Sequence, residues 1–155
     1  MKLHLFEYTC QPCHTHFKAP EVMPDSYGEF LMRSESGDTV FLNALEDPVY
    51  QEVDDILACL LSGQSVSAVK RASLLRKVFG VACDTDVQGY RYGINTSPLC
   101  PHCGSIHMEG WEATEPPEFV DLDLPQVSHC KWIALNPAEK ALCLKQALAA
   151  LGYAC

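Results

Sequence analysis

Four of the nine cysteines form two pairs with the same spacing: Cys10 with Cys13, and Cys100 with Cys103. In a Cys-x-x-Cys turn, two sulfurs can reach one metal ion from a single tight loop. Two such turns supply four soft thiolates, the tetrahedral donor set of structural Zn²⁺ sites. The sequence therefore predicts one structural Zn²⁺ ion held by all four of these cysteines. Iron in a four-cysteine site uses the same ligands, so the sequence does not separate the two metals.

The other cysteines and histidines do not form a catalytic pattern. Cys130 follows His129, but no acid or oxyanion motif accompanies this adjacent pair. A thioredoxin-like redox pair would lie at a helix N-terminus within a βαβ unit, and neither Cys-x-x-Cys turn has that context. Four cysteine ligands would also leave the metal no open position for a substrate. We therefore expect a protein that is not an enzyme.

The residues around both pairs resemble known metal-binding turns. Residues 6–17 (FEYTCQPCHTHF) are similar to the start of FmdB-type regulators, whose zinc-ribbon segment begins aromatic-x-Cys-x-x-Cys-x-x-x-Phe. Residues 97–105 (SPLCPHCGS) are similar to the Cys-Pro-x-Cys-Gly knuckle shared by zinc ribbons and rubredoxins. The resemblance implies a β-ribbon element with four ligands, and it implies no particular activity.

The chain departs from these families in the distance between its two pairs. Ribbons of this kind separate the pairs by about 12–20 residues, whereas 86 residues lie between Cys13 and Cys100. Closing a loop of that length costs about 4 kcal/mol plus a constant. A structural zinc ion supplies about 10–16 kcal/mol, so the predicted site can tolerate the insertion.

The elements around the pairs predict an α+β fold in one domain over residues 1–155. We expect a zinc-ribbon-like β unit from residues 1–20 and 88–113, with a helical insert at about 44–82. Within that unit, strands are expected before and after the first pair, at 88–94, and at 105–113. The segment 114–155 follows, with an extended stretch at 119–124 and a C-terminal helix.

Helix boundaries are indicated by caps. Asp47 followed by Pro48 marks the start of a first helix that ends before Gly63, and a second helix is predicted from Val66 to Phe79. Asn136, with proline next and glutamate three residues on, predicts the start of the last helix.

Charge is distributed unevenly. The chain has 11 basic and 20 acidic residues and a net charge of −9, which disfavours nucleic acid as a partner. Four of the basic residues nevertheless lie on the second predicted helix: Lys70, Arg71, Arg76 and Lys77. With the helix before it, this helix resembles a helix-turn-helix unit. One alternative is therefore a nucleic-acid-binding transcriptional regulator that uses the helix pair 48–80.

The segment 109–123 has the opposite character, because it contains six acids and no lysine or arginine. Its candidate partner-binding residues are Glu109, Trp111, Glu112, Glu115, Glu118, Phe119, Asp121 and Asp123. Aromatic anchors among charges are typical of surfaces that steer and hold a protein partner. The segment therefore predicts an interface for a basic protein.

Together these patterns favour a non-catalytic structural-zinc protein that binds a basic partner protein. An acidic inhibitor or immunity-type protein of a basic toxin or nuclease is one concrete form. A rubredoxin-like iron electron carrier is a second alternative. An odd cysteine count and a polar N-terminal segment favour a reducing cytoplasm. The sequence has no apolar run approaching 18 residues, so we expect no membrane association.

Overall fold

The computed structural model describes residues 1–155 and contains two antiparallel sheets and four α-helices. The strands are β1 (Lys2–Cys10), β2 (His16–Glu21), β3 (Glu29–Arg33), β4 (Thr39–Asn43), β5 (Met108–Ala113) and β6 (Phe119–Asp121). The helices are α1 (Pro48–Leu60), α2 (Ala68–Val78), α3 (Cys130–Ile133) and α4 (Pro137–Ala150). The predicted α+β class is confirmed, including the helical insertion and the C-terminal helix. None of the helices combines the length and apolar composition that a bilayer crossing requires.

The larger sheet, called here the ribbon sheet, is built around β1. β2 pairs with one edge of β1, while β5 and β6 share the other edge along its length. Tyr8, near the end of β1, lies opposite Phe17 on one side and Trp111 on the other. The ribbon sheet therefore joins residues from the start of the chain to residues more than a hundred positions later.

The main hydrophobic core lies outside the ribbon sheet. It is a cluster of 18 buried residues from the β3–β4 hairpin, the helices and the loops between them, with Trp132, Leu57 and Leu144 among its most buried members. No residue of β1, β2, β5 or β6 belongs to this cluster. The ribbon sheet therefore depends on its own small set of buried side chains and on whatever fastens the cysteine pairs.

Arg33, at the end of β3, connects the ribbon sheet to the core. Its side chain is only 7% exposed, and its guanidinium lies 2.9 Å from the Glu21 carboxylate of β2. The same guanidinium donates to the backbone carbonyls of Pro20 and Thr96. A buried charge is tolerated when its donors are satisfied in this way.

The predicted caps are confirmed, with one shift of boundary. The Asp47 carboxylate accepts the backbone N–H groups of the first turn of α1, and Asn136 and Glu139 form a reciprocal capping box on α4. Helix α2 begins at Ala68 rather than Val66, because the Ser67 side chain accepts the N–H of the third residue after it.

The predicted strand at 88–94 is wrong. Its one β contact is an isolated bridge between Gly93 and Arg33. The Asp86 carboxylate accepts the backbone N–H groups of Gln88 and Tyr90, which holds this segment in a turn. These side-chain hydrogen bonds compete with a strand for the same backbone donors.

Candidate metal centre

The structure brings the two cysteine pairs together. The four Sγ atoms of Cys10, Cys13, Cys100 and Cys103 all lie within 4.8 Å of one another. The Cys10–Cys103 and Cys13–Cys100 sulfur distances are 3.5 and 3.6 Å. A tetrahedral ion with Zn–S bonds of about 2.3 Å separates its sulfurs by about 3.8 Å. All four cysteines are free thiols, so the donor number, donor type and spacing fit a metal ion.

The two loops that carry the ligands, called here the first and second knuckles (residues 10–15 and 100–105), share one backbone geometry. The Cys10 carbonyl accepts the N–H of His14 at 2.9 Å, and the Cys100 carbonyl accepts the N–H of Gly104 at 2.8 Å. In each knuckle the first cysteine's own N–H donates to the carbonyl five residues later, at 3.0 and 2.8 Å respectively. The ligand pairs are therefore presented by two equivalent turns.

The equivalence extends to the residue after each second cysteine. His14 has φ 59° and Gly104 has φ 75°, both in the left-handed region. His14 is the one non-glycine residue of the chain with a positive φ. Glycine adopts this conformation without a steric penalty, whereas an L-residue does not. The first knuckle therefore carries backbone strain that the second avoids.

The knuckle sulfurs have different surroundings. Cys10 and Cys100 are buried, whereas Cys103 is exposed. Burial raises the pKa of the Cys10 thiol to about 12. The Thr15 hydroxyl, followed by the Thr15 backbone N–H, lowers the pKa of Cys13 to about 6. Each cysteine thiol must lose its proton to become a metal ligand, so metal loading of this site depends on pH.

The position of the cluster shows what it fastens. Cys10 is the last residue of β1, and the Gln11 N–H donates to the His107 carbonyl at 3.0 Å just before β5. The ladder between β1 and β5 contains an irregularity between Thr9 and Cys10. A metal at the cluster would close the end of the ribbon sheet at which the regular strand pairing stops. The cluster contains no histidine.

His129 and Cys130 do not form a nucleophile–base pair. One ring nitrogen of the buried His129 lies 2.9 Å from an Asp47 carboxylate oxygen, and the other faces the Ala82 carbonyl. The backbone N–H of Cys130 donates to Asp84 at the start of α3. With both nitrogens engaged, the imidazole has none free to accept a proton from the neighbouring thiol.

The acidic segment 109–123 is partly neutralised within the chain. Two of its six carboxylates form ion pairs, Glu118 with Lys18 at 2.8 Å and Asp121 with the N-terminal amine at 2.8 Å, and Glu109 lies 3.4 Å from the His14 ring. The other three are exposed and make no ion pair or side-chain hydrogen bond: Glu112, Glu115 and Asp123. The uncompensated charge is therefore concentrated on these positions.

The two aromatic residues of the same segment lie on the surface of the ribbon sheet. Trp111 stacks on Tyr8 with a centroid separation of 6.4 Å and is still 63% exposed. Phe119 packs against the His4 ring at 5.3 Å and under the Lys2 ammonium at 4.3 Å, and it is 44% exposed. Each ring therefore packs on side chains of the ribbon sheet with one face and exposes its other face to solvent.

An additional acid, Glu7, lies next to Glu112 through strand pairing. Glu7 on β1 lies directly opposite Glu112 on β5, on the sheet face opposite to Trp111. On its other side, Glu7 lies opposite Lys18 of β2, and Glu118 and, with a smaller effect, the charge of Glu7 raise the pKa of Lys18. Like charges directly across a strand pair destabilise the pair. No sequence pattern pointed to Glu7, because the β1–β5 register is set by tertiary pairing.

The basic residues of α2 have neighbours within the chain. Arg71 forms an ion pair with Asp54 of α1 at 2.9 Å, and the Arg76 guanidinium lies over the Phe30 ring at 5.6 Å. The Lys70 ammonium lies 5.8 Å from the Tyr153 ring, and Lys77 lines a groove beside the 89–93 loop. The nucleic-acid alternative remains a prediction, with three of its four residues, Lys70, Arg71 and Arg76, in contact with other side chains of the chain.

The close cysteine cluster is compatible with a zinc-ribbon-like knuckle site. Comparison with models of protein families, with curated proteins and with solved structures finds no match for this chain. Function therefore has to be inferred from the geometry of the chain itself.

Proposed function

We propose that this chain is a non-catalytic structural-zinc protein that binds a basic partner protein through its ribbon sheet. The observation that carries the proposal is that β5 and the loop after it expose the Trp111 indole and the unpaired carboxylates of Glu112 and Glu115, in a sheet whose end carries four clustered cysteines. An inhibitor or immunity-type role against a basic toxin or nuclease is the concrete form we favour.

The metal has a structural role in this proposal. Cys10, Cys13, Cys100 and Cys103 would hold one Zn²⁺ ion, which supplies binding free energy for folding when it is present. The ribbon sheet contributes nothing to the 18-residue core, so this free energy is needed most at the sheet. Four protein ligands complete a tetrahedral shell and leave no position for a substrate.

The basic character of the partner follows from charge. The net charge of −9 would speed the approach of a basic protein and repel an acidic one. Three exposed carboxylates form no ion pair within the chain: Glu112, Glu115 and Asp123. A partner's lysines or arginines could therefore bind them without displacing an existing ion pair. Trp111 offers a large, rigid aromatic surface, and tryptophan is one of the residue types that contribute most of the binding free energy in protein interfaces.

The proposal is tested by comparing the basic proteins captured from the native lysate by two charge-reversed variants. One variant carries Glu112→Lys and Glu115→Lys; the matched control carries Asp25→Lys and Glu46→Lys, which are exposed acids outside the ribbon sheet. We expect wild type and control to retain the same basic protein and the first variant to lose it, with binding that weakens as salt rises. Equal capture by both variants would contradict the proposal.

Metal analysis of the purified protein separates zinc from iron. A colourless protein with one zinc ion per chain supports the structural role. Stoichiometric iron with thiolate-to-iron charge-transfer absorption would instead support the electron-carrier alternative.

A further inference from the structure

The free edge of β5 is an open hydrogen-bonding surface within the region assigned to the partner. We propose that an extended segment of the partner, with alternating basic and apolar residues, pairs with this edge and adds a strand to the ribbon sheet. The inference rests on the proposed function, because it supplies the binding mode for the same basic partner. Strand addition of this kind draws its affinity from main-chain hydrogen bonds and its specificity from alternate side chains.

The backbone of β5 has unused donors and acceptors. β5 pairs only with β1, and the Thr114 N–H donates to the Leu5 carbonyl at 3.2 Å. In an antiparallel ladder, successive residues point their N–H and C=O groups alternately toward and away from the partner strand. The groups of Glu112 and Thr114 therefore face β1, while those of Trp111 and Ala113 face outward. No backbone hydrogen bond outside the β1–β5 ladder involves Trp111 or Ala113.

The two edges of the ribbon sheet differ in how they are protected. β2, at the opposite edge, carries Lys18 and Pro20, two residue types that discourage edge pairing. β5 has the sequence MEGWEA, with no lysine and no proline, and its last three residues are exposed. Natural sheets usually protect their edges, and an unprotected edge strand is a template for pairing with another chain.

The two faces next to β5 would select different side chains. On one face, Trp111 borders a groove of about 470 Å³ whose apolar part is formed by Phe6, Tyr8, Val22 and Ile94, with the Glu21–Arg33 ion pair and residues 95–97 forming the rest. On the other face, Glu112 lies opposite Glu7 and forms no ion pair, while Glu7 lies opposite Lys18 on its other side. Because side chains of an added strand alternate between faces, apolar residues would meet the groove and basic residues the carboxylates.

Charge also excludes a second copy of this chain as the occupant. β5 contains two glutamates and no cation, so pairing β5 with β5 would bring carboxylates together across the new ladder. A basic strand removes the same repulsion and the existing repulsion between Glu7 and Glu112. The occupant that fits is therefore a basic segment of another protein.

The first test uses amide hydrogen exchange with a synthetic peptide of alternating lysine and valine, blocked at both ends. We expect the peptide to slow exchange at the outward amides of Trp111 and Ala113 and to leave the inward amide of Glu112 unchanged. A peptide of the same composition with lysines and valines in separate blocks should give weaker protection. Absence of protection at Trp111 and Ala113 would overturn strand addition.

The second test removes one outward donor. Ala113→Pro deletes an N–H that is not used by β1, and Ala113→Thr keeps it with a strand-forming side chain. We expect Ala113→Pro to weaken binding of the alternating peptide about fivefold relative to Ala113→Thr, the effect of one net hydrogen bond. Equal affinities would overturn the inference.

Failure of the inference is distinguishable from failure of the proposed function. If Glu112→Lys abolishes capture of the basic partner while Ala113→Pro has no effect, the partner binds the surface without adding a strand. If neither substitution matters, both proposals fail. If the Ala113→Pro variant loses its bound metal or its far-UV circular dichroism signal, the variant is misfolded. The amide hydrogen exchange of the wild-type protein with the peptide then decides whether a strand is added. Self-association that buries the same amides without peptide would identify a second copy as the occupant and overturn the proposal.

Discussion

Exchanging the residue types at the left-handed positions of the two knuckles gives a sensitive test of their equivalence. His14 and Gly104 occupy corresponding positions with φ 59° and 75°. A Cβ atom added at Gly104 meets no atom within 4 Å, so Gly104→Ala introduces strain without a clash. His14→Gly relieves the same strain in the other knuckle. The two substitutions should therefore have opposite effects on the loaded site.

The magnitudes follow from the backbone and from the contacts that are lost. A left-handed conformation costs an L-residue about 1–2 kcal/mol, and replacing glycine recovers about 0.5–1 kcal/mol from the unfolded chain. Gly104→Ala should thus destabilise the site by about 1 kcal/mol. His14→Gly gives up a solvent-exposed contact with Glu109, which is worth about 0–0.5 kcal/mol. Its net effect should be a stabilisation of about 0.5 kcal/mol.

Competition with a chromophoric chelator measures these differences as zinc affinities. We expect Gly104→Ala to weaken zinc binding about fivefold and His14→Gly to strengthen it about twofold. Gly63→Ala, at a glycine with no Cβ clash and no positive φ, is the matched control and should leave zinc affinity unchanged. Effects of the same sign at the two knuckles would refute the assignment of equivalent turns.

Three further outcomes are expected. Replacing Glu112 with threonine removes the like-charge contact with Glu7, so urea unfolding should show about 0.5 kcal/mol more stability alongside loss of the basic partner; lower stability would contradict that pairing. Two serine hydroxyls and two backbone N–H groups lower the pKa of Asp86 from 3.8 to about 2. The stabilisation that the ionised Asp86 provides is therefore complete above about pH 4 and is lost as the pH falls toward 2. Asp86→Asn should make the urea unfolding midpoint less dependent on pH between 4 and 2, and an unchanged pH dependence would argue against these hydrogen bonds. Cys103→Ser should lower zinc content while Cys143→Ser leaves it unchanged, as elemental analysis can show; equal content would exclude Cys103 as a ligand.

The features predicted correctly from the sequence are those encoded locally. A Cys-x-x-Cys spacing fixes the reach of two sulfurs whatever lies beyond the loop. Asp47 and Asn136 cap helices through hydrogen bonds within a few residues of themselves. The hairpin expected around the first pair is likewise local, and β1 and β2 form it.

The features that the sequence did not reveal have both tertiary and local causes. Glu7 meets Glu112 only because β1 and β5 pair in one register across a hundred residues. The strand predicted at 88–94 was lost to the Asp86 carboxylate, whose side chain satisfies two of that segment's backbone donors. The strain at His14 could have been inferred by aligning the two knuckles, because Gly104 occupies the corresponding position in the second.

Counting bound metal and protected thiols on the same purified protein tests the central claim most directly. We predict one zinc ion per chain, with four cysteines protected from alkylation until a chelator removes the metal, and peptide mapping should identify them as Cys10, Cys13, Cys100 and Cys103. Alkylation of these four at the rate of exposed Cys59, or disulfides among them in a metal-free protein, would contradict the account.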